Sequence, residues 1–291
     1  MYRRIMIVTG DQSWSDVPVK YAMALAAETG AELSILMVLT PPLTAGMSDA
    51  IACTLVVESI MAQSAIVLAD IVATVEQMGI AYTTHVRWGN TADAVLRTAE
   101  EEDCDLVIVG SHACTWRSHR LLRHVMQKLT TSARQPLLVV TEPLEETYRG
   151  TSWARLLVVH DGSPEGEAAV RYAYALAQEA ALDICLLHAH SLPQSSGTDP
   201  LRGTHSVEDM LTLTGARTAT TRLSDDVVRA SGDTVTAIVE TAMDRACDVI
   251  ILGAEPYRGW KRLLYEPTAE AVMANTTLPI LLVNRLATYC Y

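Results

Sequence analysis

Of the 291 residues, 49% are apolar and 19% charged, and the formal net charge is −12. The apolar share supports two well-packed cores, at a rough allowance of ~150 residues each, and argues against broad disorder. The acidic balance argues against a sequence-independent hold on nucleic acid, which needs a basic surface.

Short β-branched runs alternate with helical patterns along the chain. Ile5–Thr9 reads as a buried strand. The alanine-rich Val19–Glu28 follows as a helix, stopped by Gly30. Leu33–Leu39 is a second strand, and Pro41-Pro42 opens a connection to a long helix over about Ala50–Met78, closed by Gly79. Ala81–Arg87 alternates as a third strand. Asn90-Thr91 caps a helix over Ala92–Glu101 that runs into the acidic stretch Glu100–Asp103. Leu106–Val109, Leu121–Ala133 and Leu137–Val140 complete the series as strand, helix and strand. A polar linker over about Thr141–Ser152 carries Pro143 and Gly150.

Then the chain reads a second time. "RIMIVTG" at Arg4 matches "RLLVVHD" at Arg155, and "KYAMALA" at Lys20 matches "RYAYALA" at Arg171, both 151 residues later. "EDCDLVIVG" matches "RACDVIILG", yet Gly110 meets Gly253 after only 143, as Gly89 meets Gly232 and Pro136 meets Pro279. The second copy is therefore eight residues shorter, between its second and third strands. The expected domains are 1–141 and 153–285.

Strands that are apolar without alternation, in the order βαβαβαβαβ, predict parallel sheets covered on both faces by helices. The fold class is α/β: two doubly wound, five-stranded, Rossmann-like parallel sheets with strand order 3-2-1-4-5. Each has a ligand crevice at the carboxyl ends of its first and fourth strands.

Six cysteines (53, 104, 114, 185, 247 and 290) lack any Cys-x-x-Cys pair. They read as reduced, small apolar residues rather than a disulfide frame or zinc site. The opening "MYRRIMIVTG" is too short in its apolar run for a signal peptide, and no uninterrupted apolar run approaches the ~18 residues of a membrane span. The expectation is a cytoplasmic protein with no membrane partner and no nucleic-acid partner.

With "VVHDGS" opening the second copy, "GSH" after the fourth strand of the first, and "PLLVV" and "PILLV" as final strands, the chain resembles the universal stress protein family in its tandem, two-domain form. The resemblance runs over essentially the whole chain and implies a fold like that of the adenine nucleotide alpha hydrolases. In that family a Gly-x-x-Gly turn, nine residues and then Gly-Ser or Gly-Thr wrap the phosphates of ATP. An aspartate ending strand one and an aliphatic residue near the end of strand two hold the adenosine.

Transferred position by position, the resemblance implies nucleotide- or anion-binding candidates with most of the glycines gone. In the first copy Gly110 matches the first glycine and Val38 the aliphatic contact. Ala113, Arg123 and His124 replace the second glycine, the third glycine and the hydroxyl residue, His112 lies within the loop, and Gly10 stands where the aspartate belongs. In the second copy Gly253, Asp161 and Ala189 match, while Pro256, Glu266 and Pro267 replace the remaining loop positions. Proline removes an amide donor, and a glutamate repels a polyphosphate. Arg123 and His124 at a helix start either fill the first cradle or supply charge-assisted bonds to an anion, with Arg117, Arg120 and Lys128 near in sequence.

Other constellations carry less. His160, His188 and His190 with Asp161 are imidazole and carboxylate groups that zinc accepts, without an established ligand spacing, and no metal is expected. No Walker loop, Gly-x-Ser-x-Gly elbow or His-Glu-x-x-His helix is present, and no catalytic residue is assigned.

The implied role is therefore non-enzymatic: a stress-response module with degenerate ATP loops in both domains and no certain cofactor. The first alternative is an ATP-binding module, at most a weak ATPase, using Gly110, His112, Arg123 and His124. The second is a small-ligand or metal sensor using Asp161, His160 and His188. The fifth strands are apolar edges, so Leu137–Val140 and Ile280–Val283 are expected to pair within one chain as a pseudo-dimer. A second chain and a protein partner stay open.

Overall fold

The computed structural model describes residues 2–10, 16–39, 50–110, 119–140, 153–161, 163–189, 223–230, 233–254 and 268–287, with the side chains at 16, 50–53, 119–124, 189 and 223–230 outside that description. The chain divides into two compact units between Ser152 and Trp153.

The first unit runs β1 (Arg4–Gly10), α1 (Asp16–Thr29), β2 (Glu32–Leu39), α2 (Ala50–Gln77), β3 (Tyr82–Trp88), α3 (Thr91–Glu101), β4 (Leu106–Gly110), α4 (His119–Ser132) and β5 (Leu137–Val140). Its strands are parallel in the order β3-β2-β1-β4-β5. β2 and β4 are buried almost end to end, as is β1, which is why they read as unbroken apolar runs. β3, at the edge, alternates half-buried with exposed residues. Right-handed crossovers place α1 and α2 on one face and α3 and α4 on the other. On that second face Lys128 of α4 pairs with Asp93 of α3.

The second unit repeats this plan with β6 (Arg155–His160), α5 (Pro164–Ala180), β7 (Asp183–Ala189), β8 (Leu223–Ala230), α6 (Thr234–Asp244), β9 (Val249–Gly253), α7 (Thr268–Asn275) and β10 (Ile280–Val283). Its order is β8-β7-β6-β9-β10, the same topology. The registers locate the missing residues. Leu36 lies beside His85, and its repeat equivalent Leu187 lies beside Val228, a separation eight residues shorter. The β7–β8 register also slips between Ile184 and Leu186, so β8 is irregular where β3 is not.

The two units share an anchoring network at the amino ends of their strands. Asp105 accepts from the amides of Arg3 and Arg4, and Asp248 accepts from those of Ala154 and Arg155. Arg4 pairs with Glu32 at 2.7 Å and donates to the Glu102 carbonyl. Arg155 pairs with Asp183 at 3.3 Å and donates to the Arg245 carbonyl. These contacts match one for one, while the ion pairs of Arg3 with Asp105 and of Arg4 with Glu102 are confined to the first unit, because Ala154 and Arg245 stand at the equivalent positions of the second.

Five helices close in one way, with a left-handed residue followed by a bond back to the last turn. The bonds run from Ala31 to Ala26, Ile80 to Val75, Cys104 to Ala99, Leu182 to Ala177 and Cys247 to Ala242. Gly30 and Gly79 supply the positive φ in two of them, but Asp103 (52°), Ala181 (54°) and Ala246 (50°) adopt it with a Cβ. Sequence reading finds the glycines and misses the other three.

Cys104, Cys185 and Cys247 are buried thiols outside any disulfide. Burial pushes the Cys104 thiol up to about 12, and a hydrogen bond with the Cys185 thiol together with burial raises Cys247 as well. Both stay protonated and unreactive.

The stretch Thr54–Gln77 of α2 has a mean hydropathy of 1.8 and is long and apolar enough, by length and composition, to cross a membrane. Glu58, Ser59, Gln63, Ser64 and Asp70 interrupt every apolar run, so counting runs conceals what the average over the helix reveals.

Candidate functional site

The strand order reverses between β1 and β4 in the first unit and between β6 and β9 in the second, opening a crevice at their carboxyl ends. In the first unit the ends of three strands meet there. Gly10 lies beside Val38 across β1–β2, and Gly110 ends β4 beside Val140. A Cβ on Gly110 would stand 2.7 Å from Cγ of Pro18, in the first turn of α1.

The second crevice is more fully described. Ser163 caps α5, its Oγ accepting from the Gly166 amide at 2.9 Å, and Pro164 follows at the first helical position, where no amide is needed. Asp161 Oδ1 accepts from both the amide (2.9 Å) and the hydroxyl (2.6 Å) of Ser163. That carboxylate oxygen is committed to the turn. Glu165, on the same helix start, pairs with Arg285 beyond β10 at 2.8 Å.

Gly253, at the end of β9, sits directly against that helix start. A Cβ there would lie 2.5 Å from the Glu165 carbonyl carbon and 2.6 Å from the Gly166 nitrogen. Backbone occupies the space, so the fold itself demands glycine at 253.

His160 and His188 are register partners on β6 and β7. Their rings stack with centroids 5.3 Å apart, and the two Nδ1 atoms approach to 3.2 Å. One Nδ1 must carry the proton and the other accept it. His160 is 5% exposed, and its Nε2 is buried without a partner among the described residues. The assignment that leaves a bare lone pair there, rather than an orphaned N–H, has His160 donating from Nδ1. Burial lowers the pKa of His160, opposed by Asp161 and Glu167. No third His, Cys, Asp or Glu joins this pair to form a metal-ligand cluster among the described residues.

The sequence model of the Universal stress protein family matches residues 1–141 and 152–284. The chain belongs to the universal stress protein family. A universal stress protein of Methanocaldococcus jannaschii is 25% identical over 146 residues, covering 50% of this chain and 86% of its own. Among solved structures, a universal stress protein from Archaeoglobus fulgidus superposes with a TM-score of 0.71 at 17% identity, covering 97% of this chain and 96% of its own. A functionally unknown protein from Pseudomonas aeruginosa gives 0.60 at 19% identity, covering 97% and 92%. At these identities the two structures speak for the fold alone.

Within this universal stress protein, Val38, Gly110, His160, Asp161, His188, Ala189 and Gly253 all lie at or next to the carboxyl ends of the strands. His112, Ala113, His190, Pro256, Glu266 and Pro267 lie outside the described residues. Arg123 and His124 fall on α4, which begins at His119 rather than Leu121. They occupy its second turn, not its start, so their amides face into the helix ladder. Lys128, one of the nearby cations, is committed to Asp93 at 2.5 Å. Sequence reading missed Pro18 and Arg285 because the contacts that matter join residues about a hundred positions apart.

Proposed function

We propose that this chain is a non-enzymatic, cytoplasmic stress-response module in which neither crevice retains a working ATP cradle. The observation that carries the reading is the surroundings of Gly253. A glycine that backbone crowding requires is kept whether or not a nucleotide binds, so its presence is no mark of a phosphate loop. The other loop positions carry side chains, and Pro256 and Pro267 bring no amide. The second-turn location of Arg123 and His124 further supports a first loop without free amides at those residues. Titration calorimetry with ATP tests it. Saturation should be absent below about millimolar concentration, where binding is weaker than ~4 kcal/mol. Micromolar affinity abolished by Arg123→Ala would establish instead a rebuilt site in the first unit.

A second reading, a small-ligand or metal sensor in the second crevice, is favoured by the orphaned Nε2 of His160. Metal analysis after exhaustive dialysis decides it: stoichiometric zinc, lost in His160→Ala, would replace the first reading. The pairing of β5 with β10 within one chain also belongs to the proposal. Each strand has a single neighbour within its own unit, and open apolar edges are aggregation-prone unless paired. Failure of separately expressed halves to co-purify would reject it.

A further inference from the structure

α2 has 28 residues, about 42 Å at ~1.5 Å per residue, whereas the eight residues of its neighbour β2 span about 26 Å. Its carboxyl end is pinned to the start of β3 by the left-handed Gly79 and the Ile80-to-Val75 bond. The excess length therefore projects at its amino end, past the carboxyl ends of the strands.

Ser64 and Val75 are buried on its inner side, and the Tyr82 hydroxyl donates to Glu76 at 2.7 Å. Its outer side carries Leu55, Ala62, Ile66, Ala69 and Ala73, spaced seven, four, three and four apart, so they form one line. All five are exposed, Leu55 by 59% and Ile66 by 57%. Val86 and Trp88, also exposed, share with Tyr82 the face of β3 that looks toward α2. An apolar line along the outer side of a helix whose inner side is already buried is normally covered as well.

Charge and size say what covers it. Across its 28 residues α2 has no Lys, Arg or His; its charges are Glu58, Asp70 and Glu76. Glu58 and Glu76 flank the apolar line on one side and Asp70 on the other, and neither Glu58 nor Asp70 has an ion-pair partner among the described residues. A second α2 would set carboxylates against carboxylates. Membrane-surface helices carry Lys or Arg at their polar margins, and anionic lipid repels this one. The line from Leu55 to Ala73 is about 27 Å long and about 10 Å wide, on the order of 300 Å². That is one helix footprint, well short of the ~800 Å² each partner commits to a standard dimer.

We propose that the outer face of α2 docks a single amphipathic helix of a protein partner, apolar along one stripe and flanked by lysines or arginines. This goes beyond the reading of the crevices and does not depend on it. The probes are an 18-residue Leu/Lys helix with leucines on a heptad stripe, its Leu/Glu counterpart, and phosphatidylcholine vesicles with and without phosphatidylglycerol. The full chain should bind Leu/Lys saturably and ignore Leu/Glu. Ile66→Glu, at an exposed site, should weaken binding at least about tenfold with circular dichroism unchanged. The double change Glu58→Lys and Asp70→Lys should reverse the preference toward Leu/Glu. Absence of saturable binding, or binding indifferent to Ile66→Glu, overturns the proposal. So does vesicle binding or self-association in sedimentation that Ile66→Glu abolishes, since each names a different occupant.

Discussion

Replacing Gly253 with alanine tests whether this glycine serves the fold. The new Cβ would meet the Glu165 carbonyl carbon at 2.5 Å, the Gly166 nitrogen at 2.6 Å and the Glu165 oxygen at 2.7 Å. Restoring ordinary contact requires the start of α5 to retreat by about 0.7–0.9 Å, a shift at the costly end of the overpacking range. That start is held by the Ser163 cap, the Asp161 turn and the Glu165–Arg285 pair. We therefore expect a loss of about 3 kcal/mol, near the top of the usual ~1–3 kcal/mol. For a unit of this size that lowers the melting temperature by roughly 10 °C.

Gly110→Ala is the internal control. Its Cβ meets only Pro18, at 2.7 Å to Cγ, with no backbone atom among its close contacts. A change of ring pucker relieves part of that clash, so the expected loss is about 1 kcal/mol. Calorimetry and urea titration of both variants, with each unit's transition resolved, make the comparison. A Gly253→Ala protein within about 0.5 kcal/mol of the parent, or a costlier Gly110→Ala, refutes the packing argument.

Three further outcomes follow from single features. Ala181 holds φ 54° with a Cβ, so Ala181→Gly should stabilise the second unit by about 0.5–1 kcal/mol in urea titration. The Tyr174 hydroxyl is buried with no partner among the described residues, and burial raises its pKa. Tyr174→Phe should leave stability unchanged or raise it by up to about 1 kcal/mol, and a loss beyond that would reveal a hydrogen bond. His160 has its pKa lowered from 6.5 by burial, so the unfolded chain binds more protons than the native one near that pH. The stabilisation from its neutral form is complete above 6.5 and declines as the pH falls toward the depressed native value; melts of the second unit should show this, and His160→Asn should flatten it.

The fold was largely legible because its determinants are local. Buried parallel strands such as β2 and β4 need apolar residues on both faces, and the edge strand β3 needs them on one, so the run and the alternation are both visible. Gly30 and Gly79 announce helix ends, whereas Asp103, Ala181 and Ala246 do so only through a backbone conformation their side chains resist. The His160–His188 meeting was foreseeable because adjacent strands bring equivalent ends together. The role of Gly253 was not, since it depends on how closely the start of α5 approaches a residue 253 − 165 = 88 positions further along the chain.

The repeat itself shows which constraints persisted. At the amino ends of the strands the two units agree in their main contacts: Arg4, Glu32 and Asp105 answer Arg155, Asp183 and Asp248. Carboxylates there satisfy backbone amides that would otherwise be orphaned, and losing such a bond costs about 1.5–3 kcal/mol whatever the protein binds. At the carboxyl ends the units disagree. Gly10 answers Asp161 in the repeat, and Thr9 answers His160. Side chains that close a domain are constrained by folding alone, while those facing a crevice are constrained by whatever enters it. Two crevices whose equivalent strand ends carry Thr9 and Gly10 in one unit and His160 and Asp161 in the other are not both fitted to one polyanion, which is the strongest reason to look for two different ligands, or none.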